Sequence, residues 1–279
     1  MTGADLENLV NEAALFAARQ NKERVDLGDF ESAKDKVFMG PERKSMIMTE
    51  KERWNTAVHE AGHTIVGKLL PGCDPVHKVT IIPRGQALGV TWSLPTEDKY
   101  NLYRQQMLDQ ICRAMGGRIA EELMFNEMSS GASNDIERAT ETARAMVCRW
   151  GMSDKLGPLS FGSSEGEVFL GRDFSSRPNY SEDTARQIDG EVREIVVSCY
   201  DRAKKLLQDN FDKLKRVADA LMEYETLDAE DVEILVNGGT ITRERPKPRV
   251  QTPPKAKEKE KRRILEGIQP MPALEPNKA

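Results

Sequence analysis

The chain has 279 residues, enough to bury one or two domain cores, and 31% of them are charged. No apolar run approaches the ~18 residues of a membrane helix, the start "MTGADLENLV" lacks the basic and apolar regions of a secretory signal, and the scattered cysteines Cys73, Cys112, Cys148 and Cys199 form no C-x-x-C pair. That excludes a disulfide framework or thiolate zinc site and fits a reducing compartment. The net charge of −5 divides unevenly: residues 240–279 carry +6 and 7 of the 14 prolines, leaving −11 for the rest, an acidic body that argues against nucleic acid as its main partner.

In chain order, Thr2 and Asp5 flank a helix start, and Leu6, Leu9, Val10, Ala13, Leu15 and Phe16 follow near helical spacing. Asp26 or Asp29 opens a second, shorter helix through Phe30, Ala33 and Val37. "MGPERKS" reads as a linker, and a composition shift after it places a domain boundary near residue 45. Thr49 with Glu52 three residues on forms a capping box for a helix that ends at about Leu70, before Pro71-Gly72. The apolar residues of that helix, Trp54, Ala57, Val58, Ala61, Ile65, Val66, Leu69 and Leu70, make one stripe. "HKVTII" and "GVTWSL", separated by "PRGQALG", predict a hairpin-like β unit. Helices are expected over about 100–125, 134–149, 182–209, 211–224 and 228–236, interrupted by a loop-rich interval at 151–180 of the kind that is often functional or mobile. The basic, proline-rich tail from 239 cannot bury enough apolar surface to offset its ordering entropy and is expected to be disordered.

Two of the three histidines stand in "HEAGH", residues 59–63. Residues four apart on a helix differ by about 40° around its axis, so His59 and His63 can reach one metal ion. Imidazole nitrogens suit zinc, and Glu60 is placed to take a proton from a water that zinc has acidified. Gly62 costs about 1 kcal/mol against alanine in a helix interior, which points to a close approach of something to the backbone there, and helix packing would explain it equally well. A third ligand is needed. The extended H-E-x-x-H-x-x-G-x-x-H pattern fails, since Val66 and Leu69 occupy its later positions. His77 reads as an ordinary turn or surface histidine. Glu121-Glu122 in "GGRIAEELMF" and Asp135 in "SSGASNDIERAT" are both candidates, and spacing does not choose between them.

Taken together, "TGADLENLVNEAALFAAR", "HEAGH", "DPVHKVTIIPRG", "LGVT", "GGRIAEEL", "GASNDI", "LGPLSF" and "GEVFLGR" resemble, in order, the C-terminal part of the FtsH family of membrane-bound, ATP-dependent zinc proteases, over about residues 1–236. The resemblance implies a mainly α fold. Residues 1–45 would be the end of an AAA+ helical lid, 46–238 a helical zinc metallopeptidase domain with a small β hairpin or edge strand, and 239–279 a tail. It implies Zn2+ held by His59, His63 and Asp135, with Glu60 as catalytic base and Glu121 and Glu122 in supporting positions. The segment Ala87, Leu88, Gly89, Val90 and Thr91 matches the family's strand near the active site and is expected to pair with an extended substrate backbone.

Expected partners are unfolded polypeptides, a homo-hexamer and the family's ATPase domain, at the cytoplasmic face of the bacterial inner membrane in the full-length protein. The sequence holds no G-x-x-x-x-G-K-[ST]; Lys44-Ser45 follows Arg43 where glycine is required. The chain, expected to be an excised fragment or truncated relative, should therefore bind and hydrolyse no ATP itself and act only on peptides and unfolded chains. The competing expectation is a non-catalytic helical domain that assembles the protease ring.

Overall fold

A computed structural model of the chain describes residues 2–43, 46, 48–95, 97, 99, 101–161 and 180–243. Most of the tail, from 244 on, and most of the interval expected to be a long loop lie outside the described residues. Among these are eight α-helices and three short strands: a mainly α fold with a small sheet.

Helices α1 (Gly3–Arg19) and α2 (Leu27–Met39) each begin in a reciprocal capping box, Thr2 with Asp5 and Asp26 with Asp29. They pack on each other through Ala13, Ala17 and Ala33, while Leu6 and Val10 stay exposed. The buried Asp29 carboxylate accepts hydrogen bonds from Lys22 Nζ at 3.0 Å and from the Asp26 amide at 3.1 Å.

Helix α3 (Glu50–Leu69) is the hub of the described elements. Thr49 caps it: its hydroxyl accepts from the Glu52 amide at 3.2 Å and the Glu52 carboxylate takes the Thr49 N–H at 2.8 Å. Thr49→Ala is expected to cost about 1 kcal/mol, read as a lower urea midpoint at unchanged m-value. The sequence suggests one buried stripe, but α3 is buried nearly all round, including Thr56, Glu60 and Thr64. This is tolerable because the threonine hydroxyls donate back to the Glu52 and Glu60 carbonyls, at 2.9 and 2.7 Å. Fully buried Val58, Ile65 and Val66 each contribute about 1.5–3 kcal/mol of burial.

Around α3 stand α4 (Arg104–Phe125), α7 (Phe211–Tyr224) and the sheet. Helices α5 (Ser133–Cys148) and α6 (Glu182–Asp209) back α4, and α8 (Ala229–Val236) packs on α7. The crossing of α3 over α4 is set by glycines. A Cβ on Gly62 would lie 2.3 Å from the Gly116 carbonyl oxygen, and one on Gly116 would lie 2.8 Å from that of Gly62. The close approach suggested by Gly62 is therefore another helix backbone. Beyond α3, the Gly72 amide donates to Asp109 Oδ2 at 2.9 Å, tying the end of α3 to α4.

The sheet is antiparallel in the order β2-β1-β3, with β1 (Val76–Thr80) central and β2 (Val90–Ser93) at one edge. Val79 pairs with Thr91 on one side and Leu227 on the other. Strand β3 (Thr226–Asp228) fills the short gap between two expected helices. The segment expected as a strand from Ala87 begins extended structure only at Val90. Arg84 and Ala87 exchange backbone hydrogen bonds at 3.0 and 2.9 Å, closing a tight turn that occupies Ala87 and leaves Leu88 and Gly89 as a bend. Helix α2 reaches this sheet: Lys78 Nζ donates to Asp35 Oδ1 at 2.7 Å, and Phe38 stacks on Trp92 of β2 with ring centroids 5.2 Å apart. Among the described residues, no helix is long and apolar enough to cross a membrane.

Candidate metal centre

Helix α3 carries His59 and His63 on its face toward α4 and α5. Two contacts fix their tautomers. His63 Nδ1 lies 2.8 Å from the Arg113 carbonyl oxygen, and His59 Nδ1 lies 2.8 Å from Glu121 Oε1. A carbonyl or a carboxylate only accepts, so both Nδ1 atoms carry the proton, and in the neutral form of each ring Nε2 presents a lone pair. Those Nε2 atoms are 3.0 Å apart, and Asp135 Oδ2 stands 3.2 Å from one and 3.3 Å from the other.

Three lone-pair donors facing one another repel unless a cation sits among them. A proton satisfies part of this demand, and a metal ion satisfies all three donors together. Their separations are close to the ~3.3 Å edge of a tetrahedron whose ligands lie about 2.0–2.1 Å from zinc. The residues present therefore fit a zinc ion. Among the described residues, His59, His63 and Asp135 form a group able to hold a metal, with all three donor atoms within 4.8 Å of one another.

The electrostatics carry the same signature. Burial opposes a charge on His59, yet the carboxylates of Asp135 and Glu121 on its two nitrogens, with the Glu60 charge nearby, raise its pKa from 6.5 to about 10. Burial likewise opposes charge on Asp135, but hydrogen bonds from both imidazoles hold it well below the ordinary carboxylate range. Glu121 is also lowered: burial works against it and is outweighed by His59 and Ser129.

The loop before α5 is built into this network. The Ser129 amide donates to Glu121 Oε2 at 3.3 Å, and the Ser129 hydroxyl accepts from the Gly131 amide at 3.2 Å in the 3-10 turn (Ser130–Ala132) that leads into α5. His59 is thus joined to Glu121, Glu121 to Ser129, and Ser129, along the chain through the 3-10 turn, to Asp135, which returns to His59. Asp135 sits in the first turn of α5, where the helix dipole favours a carboxylate. Gly117 makes room for the imidazole: a Cβ there would lie 2.5 Å from His59 Nε2.

Of the two adjacent glutamates, Glu121 meets His59 from behind. Glu122 faces α6, where it takes the Tyr200 hydroxyl and Lys204 Nζ, the latter at 2.7 Å. His77 is on β1, edge-on to Trp92 at 5.0 Å between centroids. Glu60, one residue on from His59, lies beneath the start of β2, where the Thr91 hydroxyl donates to Glu60 Oε2 at 2.6 Å. Of the expected substrate segment, Gly89 and Thr91 therefore touch Glu60, and a Cβ on Gly89 would lie 2.7 Å from Glu60 Cγ. Arg113, which holds His63 through its carbonyl and the Thr91 carbonyl through Nη2 at 3.2 Å, escaped sequence reasoning, since one arginine on a helix carries no distinguishing pattern.

Residues 46–235 match the family description of peptidase family M41, and residues 1–32 that of the AAA+ lid domain. The chain is similar to the ATP-dependent zinc metalloprotease FtsH of Myxococcus xanthus, 78% identical over 280 residues, which cover 100% of this chain and 44% of the relative. The proteins of the same name from Rubrobacter xylanophilus and Bacillus subtilis are 57% and 53% identical over 84% and 86% of the chain, which spans 36% and 38% of their lengths. The chain thus spans less than half the length of these relatives.

Proposed function

The chain belongs to peptidase family M41, and from that membership we propose that it is the zinc-dependent endopeptidase part of an ATP-dependent protease. It hydrolyses peptide bonds of unfolded polypeptides or of chains delivered by an unfoldase. The observation that carries this reading is the convergence of His59, His63 and Asp135 lone pairs beside Glu60, a carboxylate on the same helix.

His59, His63 and Asp135 hold the metal, with Glu121 and the Arg113 carbonyl fixing the two imidazoles. Zinc in such a site supplies a water acidic enough to lose its proton near neutrality and polarises the scissile carbonyl. Glu60 accepts the proton of the attacking water and passes it to the leaving amine. Strand β2, at an edge of the sheet among the described residues, offers its backbone to an extended substrate, a contact that selects for unfolded chain more than for particular side chains. Residues 1–45, the lid piece, connect the peptidase to the ATPase that feeds it, and the assembly is a hexameric ring at a membrane.

The test is cleavage of unfolded casein by the parent and by Glu60→Gln, with zinc measured in both. Glu60→Gln is expected to keep zinc and lose about 10²–10⁴-fold in rate. Equal rates overturn Glu60 as the base. A parent that forms rings and cleaves nothing at any zinc level supports the assembly-domain reading instead.

A further inference from the structure

We propose that Thr91 is a positioning residue for Glu60, holding the base in its working rotamer through its hydroxyl; this rests on Glu60 being the base. The Thr91 hydroxyl has one proton and two acceptors in reach: Glu60 Oε2 at 2.6 Å and the Glu60 carbonyl at 3.2 Å. The carbonyl is already served by the Thr64 hydroxyl at 2.7 Å. The shorter contact, with a charge on its acceptor, is the stronger, so the proton goes to the carboxylate. Among the described residues, none donates to Glu60 Oε1, which leaves that oxygen for a water.

The rest of the neighbourhood removes slack from this contact. Gly89 brings its backbone onto the Glu60 side chain so closely that a Cβ there would lie 2.7 Å from both Cγ and Oε1. Thr91 itself is fixed by pairing with Val79 of β1 and by Arg113 Nη2 on its carbonyl. Because the Arg113 carbonyl also holds His63, one residue of α4 sets both a metal ligand and the strand that pins the base. Side chains alternate across a strand, so the next residue, Trp92, faces the other way, toward Phe38 of α2. Strand β2 thus has one face given to the base and an edge given to substrate.

Four variants of the full chain test this on a short quenched peptide: Thr91→Val, Thr91→Ala, Thr91→Ser and Thr91→Val combined with Glu60→Gln. The two hydroxyl-free single variants are expected to lose about 10–100-fold in kcat, the penalty of a misplaced catalytic group, with KM within about 2-fold and zinc content unchanged. Thr91→Ser is expected to recover to within about 3-fold of the parent, since it keeps the donor. On top of Glu60→Gln, Thr91→Val is expected to add nothing, because the two act as a unit. In a crystal structure of the zinc-loaded Thr91→Val protein, the Glu60 carboxylate is expected to have left its place. Unchanged kcat in both hydroxyl-free variants, a rise in KM alone, failure of serine to recover, or an unmoved Glu60 rotamer each overturns the proposal. Activity retained in Glu60→Gln instead overturns the base on which it rests.

Discussion

Asp135→Ala is expected to purify without stoichiometric zinc and to cleave no peptide, while Glu122→Ala keeps both. Asp135 contributes the one anionic donor among the three that converge, at 3.2 and 3.3 Å from the two imidazole nitrogens. Without it, two neutral nitrogens remain, fewer than the three protein ligands a catalytic zinc site uses. Glu121→Ala is an intermediate case: it frees the back of His59 without removing a donor, and such losses lower metal affinity by about 10–100-fold. Asp135→Ala should exceed that. Glu122 serves α6 through Tyr200 and Lys204 and touches neither histidine, so its removal bears on packing alone. The measurement is metal content of the parent and the three variants after dialysis against buffered zinc. A second readout is thermal: a ligand at 100 times its Kd adds about 2.7 kcal/mol, worth roughly 5–11 °C for a domain of this size. The parent should show that rise on adding zinc and Asp135→Ala should not. Equal zinc in the parent and Asp135→Ala, with loss in Glu122→Ala, reverses the assignment of the third ligand.

What could be read from the residues, and what could not, follows from the range of the interactions involved. The cap at Thr49 and Glu52 joins residues three apart, so the start of α3 is written locally, and so are the bounds of α6 and α7. Strand β3 has three residues and no period of its own; pairing with Val79 and its neighbours makes it a strand. The resemblance to the family places Ala87 in a strand that runs to Thr91, but the backbone pairing of Arg84 with Ala87 turns the chain first. The site shows the same division. His59, Glu60 and His63 share a helix turn and are legible as a set. Glu121 and Glu122 are neighbours pointing about 100° apart, and which of them meets His59 depends on how α4 crosses α3. That angle is set at Gly62 and Gly116, one of which hinted at a contact without naming its partner. Asp135 arrives by a loop whose path is held by Ser129 on Glu121, a contact with no sequence period behind it.

The crossing itself yields the second large effect: Gly62→Ala is expected to destabilise the protein and to loosen its metal centre together. Alanine is the better helix former by about 1 kcal/mol, so local propensity alone predicts a gain. Against it, the new methyl would lie 2.3 Å from the Gly116 carbonyl oxygen and 2.7 Å from Ala120 Cβ, both in the body of α4 with no flexible end to swing away. Relief requires α3 and α4 to move apart, which unpacks fully buried residues such as Ile65 and Ile119. Overpacking of this kind costs about 3 kcal/mol, lowering Tm by about 6–12 °C at this size. The same separation draws His63 from the Arg113 carbonyl and His59 from Glu121, so zinc affinity should fall although no ligand has been touched. Gly190→Ala on α6 is the control, because its Cβ meets nothing within 4 Å; there the helix propensity should show, as a gain of about 0.5–1 kcal/mol. A Gly62→Ala protein that melts at or above the parent, or binds zinc as tightly, contradicts the view that the glycine contact sets the geometry of the site.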